Sequence, residues 1–181
     1  RRNPWQVQLG VDFGTNAPTV GEWLTVSPSR QLFVVQEYER TGAGPAQTGQ
    51  EMMELSRGMR MRGVWLDPRT TMVKADLNRR VTWNIYDEYK KQFEGLKCPI
   101  SLSKSTRESR LAAWQQALHP DPRLIDFRTF KPPAPILYIF DTCKSLIHTL
   151  PRLQYTKNGD DIIELNDHWY DAGGFALTHL L

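Results

Sequence analysis

Gln6-Val7-Gln8-Leu9-Gly10-Val11-Asp12-Phe13 alternates strictly: Val7, Leu9, Val11 and Phe13 lie on one face of an extended chain, and Gln8, Gly10 and Asp12 on the other. A period of two predicts a β-strand with a polar face. Outward from it, Val20 to Val26 and Gln31 to Tyr38 read as the next two strands, joined by the turn Ser27-Pro28-Ser29-Arg30. The three together predict an antiparallel meander. Loop-like punctuation over Thr41 to Gly49 leads into a weaker helix, roughly Ala46 to Met61. Val64-Trp65-Leu66-Asp67-Pro68 then has no alternation, as expected of a strand buried on both faces.

The second half alternates helix and strand. Leu77, Val81, Ile85, Tyr89 and Phe93 recur every fourth residue, a helical stripe that Gly95 ends. Ser105 and Glu108 are spaced like a capping box, opening a helix that Pro120 stops. Beyond the prolines of Lys131 to Pro135, Ile136 to Phe140 is another apolar strand, with a short helix over Thr142 to Leu150 behind it. A last element runs from about Asp167 to the end. Strands first and alternating units afterwards predict an α/β fold, a mixed sheet flanked by helices in one domain. The apolar stripes are core rather than cofactor sites.

With 181 residues, 40% hydrophobic and 24% charged, the chain is long enough for one full core and is neither disordered nor fibrous. No apolar run approaches the roughly 20 residues that span a bilayer, so no membrane partner is expected. The start, Arg1-Arg2-Asn3-Pro4-Trp5, has no initiator methionine and no apolar signal segment, and reads as a cut inside a longer protein. A net charge of +3 is compatible with a polyanionic partner without requiring one. Two cysteines, Cys98 and Cys143, are too few for a disulfide framework and have no metal-ligand spacing; they read as small buried hydrophobes.

Three aspartates each end or open a regular element. Asp12 lies near the end of the first strand, Asp67 terminates Val64-Trp65-Leu66, and Asp171 lies in the final helix. His168 and Asp167 stand three and four residues before Asp171, which puts all three on nearly one helical face. Carboxylates converging from two strand ends and a helix make a hard, all-oxygen site suited to Mg²⁺ or Mn²⁺. Singly, each is equally a turn or helix cap, and Asp167 in particular reads as an N-cap. Asp160, Asp161 and Glu164 read as a solvated acidic loop. Arg69, Lys74, Arg79 and Arg80 follow Asp67 and are candidate DNA-phosphate contacts, with a solvated basic face as the alternative.

The order of these residues resembles the nuclease domain of the terminase large subunit of tailed bacteriophages. The resemblance runs from Val11-Asp12-Phe13-Gly14 through Gln36-Glu37-Tyr38, Trp65-Leu66-Asp67-Pro68 and Ile139-Phe140-Asp141-Thr142-Cys143 to Asn166-Asp167-His168-Trp169-Tyr170-Asp171-Ala172. It implies a ribonuclease H-like fold and a metal-dependent endonuclease that cuts concatemeric viral DNA with two Mg²⁺ or Mn²⁺ ions per site. Asp12, Asp67 and Asp171 match the family's metal acids, with His168 or Asp167 assisting. Double-stranded DNA, a portal protein, the small terminase subunit and an N-terminal packaging ATPase domain are the implied partners, in the cytoplasm of the host cell. No G-x-x-x-x-G-K-[ST] phosphate loop occurs, so residues 1–181 read as the C-terminal nuclease alone. Where family members continue with Leu-Arg-Tyr, this chain has Gly173-Gly174-Phe175, which predicts either close packing or an early-fraying helix.

Two other readings compete. Val11-Asp12-Phe13-Gly14-Thr15-Asn16 and Asp171-Ala172-Gly173-Gly174 resemble the phosphate motifs of the actin, heat-shock ATPase and sugar-kinase superfamily, although a helix-like segment rather than an apolar strand precedes the second. A module that grips DNA or a portal without cutting would share the basic residues and need none of the acids.

Overall fold

The alternating stretch is β1 (Gln6–Asp12), and it is followed by β2 (Thr19–Val26) and β3 (Leu32–Arg40) in the expected meander. A computed structural model of the chain describes residues 5–71, 73–76, 81–157 and 167–181, with 73–76 and 81–83 described by backbone alone. The turn between β2 and β3 closes by hydrogen bonds from Ser27 N–H to Gln31 O (2.8 Å) and from Arg30 N–H to Ser27 O (2.9 Å). Helix α1 (Pro45–Leu55) opens inside the expected loop, because proline is tolerated in the first turn of a helix. It stops before the expected Met61: Gly58, at φ +81°, turns the chain, and β4 (Arg60–Leu66) takes Met61 into the sheet.

The longest expected helix is the largest correction. Val73–Asp76 and Val81–Asn84 pair antiparallel as β5 and β6, and only Ile85–Gln92 is helix, α2. Asn84 starts it there, its side chain accepting the Asp87 N–H at 2.6 Å. The β-branched and aromatic run Val81-Thr82-Trp83 favours strand over helix. The every-fourth stripe is therefore helical only from Ile85 to Tyr89, with Phe93 closing it, and Leu77 lies outside the described residues. Next come β7 (Ile100–Leu102) and α3 (Arg107–Leu118), which Thr106 caps in place of Ser105 by accepting the Ser109 N–H at 3.2 Å. The two-residue strands β8 (Pro120–Asp121) and β9 (Ala134–Pro135) pair with each other. β10 (Leu137–Ile139), α4 (Lys144–Thr149) and α5 (His168–Leu177) complete the chain.

The main sheet has the order β10-β3-β2-β1-β4-β7, antiparallel across β1, β2 and β3 and parallel elsewhere. It is the mixed, helix-flanked sheet of a ribonuclease H-like fold. One face carries Val7, Leu9, Val11, Trp23, Val64 and Leu66 and packs with Met52 of α1 and Tyr89 of α2. The other carries Val20, Leu24 and Val34 under Trp114 of α3, Leu146 of α4 and Ala172 and Ala176 of α5. No described helix is long and apolar enough to cross a membrane. Of the cysteines, Cys143 is buried and Cys98 only half-buried; both are free thiols.

The polar face of β1 is buried. Helix α5 lies on it, and the approach is possible because position 10 has no side chain: a Cβ on Gly10 would stand 1.9 Å from Ala172 O. Gln8 satisfies its own amide by accepting from Trp65 Nε1 and donating to His179 O, so burial leaves it paired. Gly10→Ala should therefore destabilise the fold by about 3 kcal/mol, the upper range for overpacking against backbone that cannot yield. A drop in thermal midpoint on the order of 6–12 °C would show it. An unchanged midpoint would mean that α5 does not sit this close.

Candidate metal centre

β1 and β4 are parallel neighbours, and each delivers an aspartate at its C-terminal end. The register continues past the strands, with Asp67 N–H donating to Val11 O at 3.1 Å, so the two acids emerge side by side. Ligand sites in sheets of this kind form at the carboxyl ends of parallel strands. Helix α5 then brings its first turn over the same end: His168 Nδ1 lies 2.8 Å from Asp12 Oδ2. Asp12, Asp67 and Asp171 are all buried, at 1%, 3% and 4% exposure.

Burial of acids demands compensation, and each acid has a cationic or hydrogen-bonding partner, one arginine being shared. Asp67 receives both the backbone N–H of Arg69 (Oδ1, 2.8 Å) and its Nε (Oδ2, 2.7 Å). The same guanidinium reaches Asp12 Oδ1 at 3.4 Å. Arg110 Nε donates to Asp171 Oδ1 at 2.9 Å, and Arg107 reaches Asp167 Oδ2 at 3.5 Å. A carboxylate can only accept, so His168 carries its proton on Nδ1. The hydrogen bond to Asp12 raises the His168 pKa against the effect of its burial, and the charges of Asp12, Asp167 and Asp171 add to the rise.

The acids also act on one another. Burial pushes Asp171 up to about 6, with Arg110 pulling against it and Asp12 and Asp167 pushing with it. Burial raises Asp67 as well, opposed by the Arg69 N–H and reinforced by Asp12. Three carboxylates within Coulombic reach, costly to ionise together, are the donor set that a hard divalent ion relieves. Among the described residues, no three His, Cys, Asp or Glu side chains form a group that could hold a metal ion. The residues fit a divalent ion in chemistry, since buried carboxylates at neighbouring strand ends and on α5 are hard oxygen donors, but holding one would require exchanging protein cations.

Of the expected site residues, His168 touches Asp12, Arg69 links Asp12 to Asp67, and Asp67 and Asp171 line one cleft. Asp167 occupies the N-cap position of α5 without capping it by its side chain; its carboxylate faces Arg107 instead. Arg69 sits on the acids themselves. The backbone of Lys74 belongs to β5, and Arg79, Arg80, Asp160, Asp161 and Glu164 lie outside the described residues. Arg107 and Arg110 escaped the sequence reading, although Gly174 marks the close approach of Arg110. A Cβ on Gly174 would meet Arg110 Cδ at 2.8 Å, and one on Gly173 would meet Trp114 Cζ2 at 2.6 Å. The glycines mark close packing of α3, and α5 continues to Leu177 without fraying. They lie inside a buried helix rather than in a phosphate loop, which removes the support for the nucleotide-binding reading.

Comparison with protein families gives no match, and comparison with curated proteins gives none either. Solved structures do match. The large terminase of a thermophilic bacteriophage superposes with a TM-score of 0.69 at 14% identity over 96% of this chain, which spans only 40% of that protein. The nuclease domain of the P22 large terminase gives 0.65 at 12% identity, covering 97% of this chain and 81% of that one. This chain has the fold of a large terminase nuclease domain. A further such nuclease, from thermophilic phage G20c and solved with bound magnesium, gives 0.60 at 14% identity over 98% of this chain and 82% of its own. The G20c nuclease has also been solved with cobalt and with zinc. Identities this low show the terminase nuclease fold and leave the roles of individual residues to the geometry.

Proposed function

We propose that this chain is a metal-dependent DNA endonuclease that cuts concatemeric viral DNA during genome packaging. What supports the reading is a terminase nuclease fold in which buried Asp12 and Asp67 stand at neighbouring strand ends and buried Asp171 stands in the first turn of α5, lining one cleft with Asp67. Divalent metal bound to neighbouring nucleases of this fold supports it. Residues 1–181 are then the C-terminal nuclease of a longer protein. Double-stranded DNA is its substrate; a packaging ATPase domain, a portal and a small terminase subunit are its partners in the host cytoplasm.

Two ions, Mg²⁺ or Mn²⁺, would supply Lewis acidity for an attacking water and for the leaving 3′ oxygen. Asp12, which faces both Arg69 and His168, would hold metal together with Asp67 and Asp171. His168 fixes the orientation of Asp12 through the 2.8 Å hydrogen bond. Asp167, held by Arg107, lies one turn from Asp171 and assists from the rim of the site.

Supercoiled plasmid is the direct test. The chain should nick it in Mg²⁺ or Mn²⁺, stop in excess chelator, and leave 5′-phosphate ends that ligase reseals. Cleavage that survives chelation would remove the metal from the reaction. Within the same assay, His168→Ala should lose roughly 10- to 100-fold, the usual cost of removing a group that orients a ligand. Asp171→Ala should lose more in both metals. The His168 deficit should be smaller in Mn²⁺, which accepts less ideal donor geometry than Mg²⁺. Equal losses for the two variants in both metals would make His168 a ligand in its own right.

A further inference from the structure

Four acids at the site face three arginines and His168, and these partners are not held alike. Arg110 is built in. Its side chain is 8% exposed, its Nη1 donates to Ser105 O at 3.2 Å, its guanidinium lies 4.9 Å from the centre of the Phe175 ring, and its stem fills the notch left by Gly174. Arg69 is the opposite case. Its side chain is 64% exposed, and among the described residues its guanidinium is held only by Asp67 Oδ2 and Asp12 Oδ1. The backbone of Arg69 is anchored, since its N–H donates to Asp67 Oδ1 from the first turn after β4. The side chain can therefore leave while the turn stays in place.

The two oxygens that Arg69 occupies belong to neighbouring strand ends, one from Asp12 and one from Asp67. An ion shared by those strands needs the same oxygens, and a dication and a guanidinium repel each other at such range. The adjoining cleft, about 290 Å³, is lined by Asp67, Arg69, Ser105, Arg107, Arg110 and Asp171. It offers the displaced guanidinium open space beside the acids.

We infer that Arg69 is the exchangeable counter-ion of the site: divalent metal displaces its guanidinium from Asp67 and Asp12, and the freed guanidinium takes a phosphate of the bound DNA. This rests on the nuclease reading and adds to it a coupling between metal and substrate. Before metal binds, Arg69 neutralises the acids. After metal binds, the same charge serves the polyanion, so metal strengthens the DNA contact without a new residue.

The test has two readouts besides cleavage. Calorimetric titration of MnCl₂ into the DNA-free protein should show Arg69→Gln binding roughly tenfold more tightly than wild type, one competing positive charge being gone. Duplex binding measured against salt concentration should lose roughly 0.9 from its log–log slope in Arg69→Gln when Mn²⁺ is present, and nothing in chelator. Glutamine keeps a donor toward Asp67, and thermal melts of both proteins confirm the fold. Unchanged or weaker Mn²⁺ binding by Arg69→Gln overturns the exchange, as does a salt slope that shrinks equally with and without metal. Asp12→Asn separates this failure from that of the underlying reading. If it binds Mn²⁺ as wild type does, the metal is elsewhere, and the nuclease assignment fails rather than the exchange.

Discussion

Asp12→Asn is expected to lower plasmid nicking by roughly a thousandfold in either Mg²⁺ or Mn²⁺, the kinetic equivalent of about 4 kcal/mol of lost charge stabilisation. The substitution keeps the shape of the side chain, and the amide oxygen still accepts from His168 Nδ1. What disappears is one negative charge at the centre of the site. That charge works against its neighbours in the folded chain, since Asp12 raises both Asp67 and Asp171. Its removal relieves repulsion while loosening the hold on Arg69, so the thermal midpoint in chelator should stay within a few degrees of wild type. The stabilisation that added Mn²⁺ gives wild type should vanish, because a ligand that binds only the folded state raises its stability. Nicking at the wild-type rate by a folded Asp12→Asn protein would sink the assignment of the metal centre.

Pattern drew notice to the acids as ends of regular elements, but singly each could equally be a turn or a cap, and only their order along the chain made them a candidate set. Asp67 follows an apolar run that proline stops, and Asp12 closes an alternation. Asp171 shares a helical face with His168. The cations were not legible. Arg107 and Arg110 come from α3, far from Asp167 and Asp171 along the chain, and only the folded packing shows why Gly174 must lack a side chain. Alternation in β1 marks a polar face but not what covers it; here a helix does, because Gly10 admits it and because Gln8 and Asp12 find partners inside. The every-fourth spacing from Leu77 to Phe93 satisfies a helix template by coincidence in its first half, where β-branched residues and the Asn84 cap decide for a hairpin ahead of a short helix.

Arg110→Met should be the most destabilising single change at the site, by about 3–5 kcal/mol, the usual cost of stripping one partner from a buried ion pair. Methionine retains an apolar stem for the Gly174 notch, so the loss reports the charge and its hydrogen bonds rather than a cavity. Asp171 is then left buried with only the weaker pull of Arg107 to oppose desolvation, which already holds it at about 6 with Arg110 present. The sign of the pH dependence follows. A carboxyl whose folded pKa lies above its unfolded value binds more protons when folded, so stability falls as pH rises from the unfolded pKa through the folded one. Without Arg110 the folded value moves higher still, and the deficit should be smallest near pH 5 and greatest near pH 8. At pH 8, in chelator, the thermal midpoint should fall by roughly 6–20 °C. Adding Asp171→Leu should recover most of the loss, because both charges then leave the interior together and apolar replacement of a buried pair is commonly near neutral. Denaturant melts of the single and double variants at the two pH values decide it. A single-variant deficit under about 1 kcal/mol, the range of an exposed pair, or a double variant no more stable than the single, would show that Arg110 does not hold Asp171 in place.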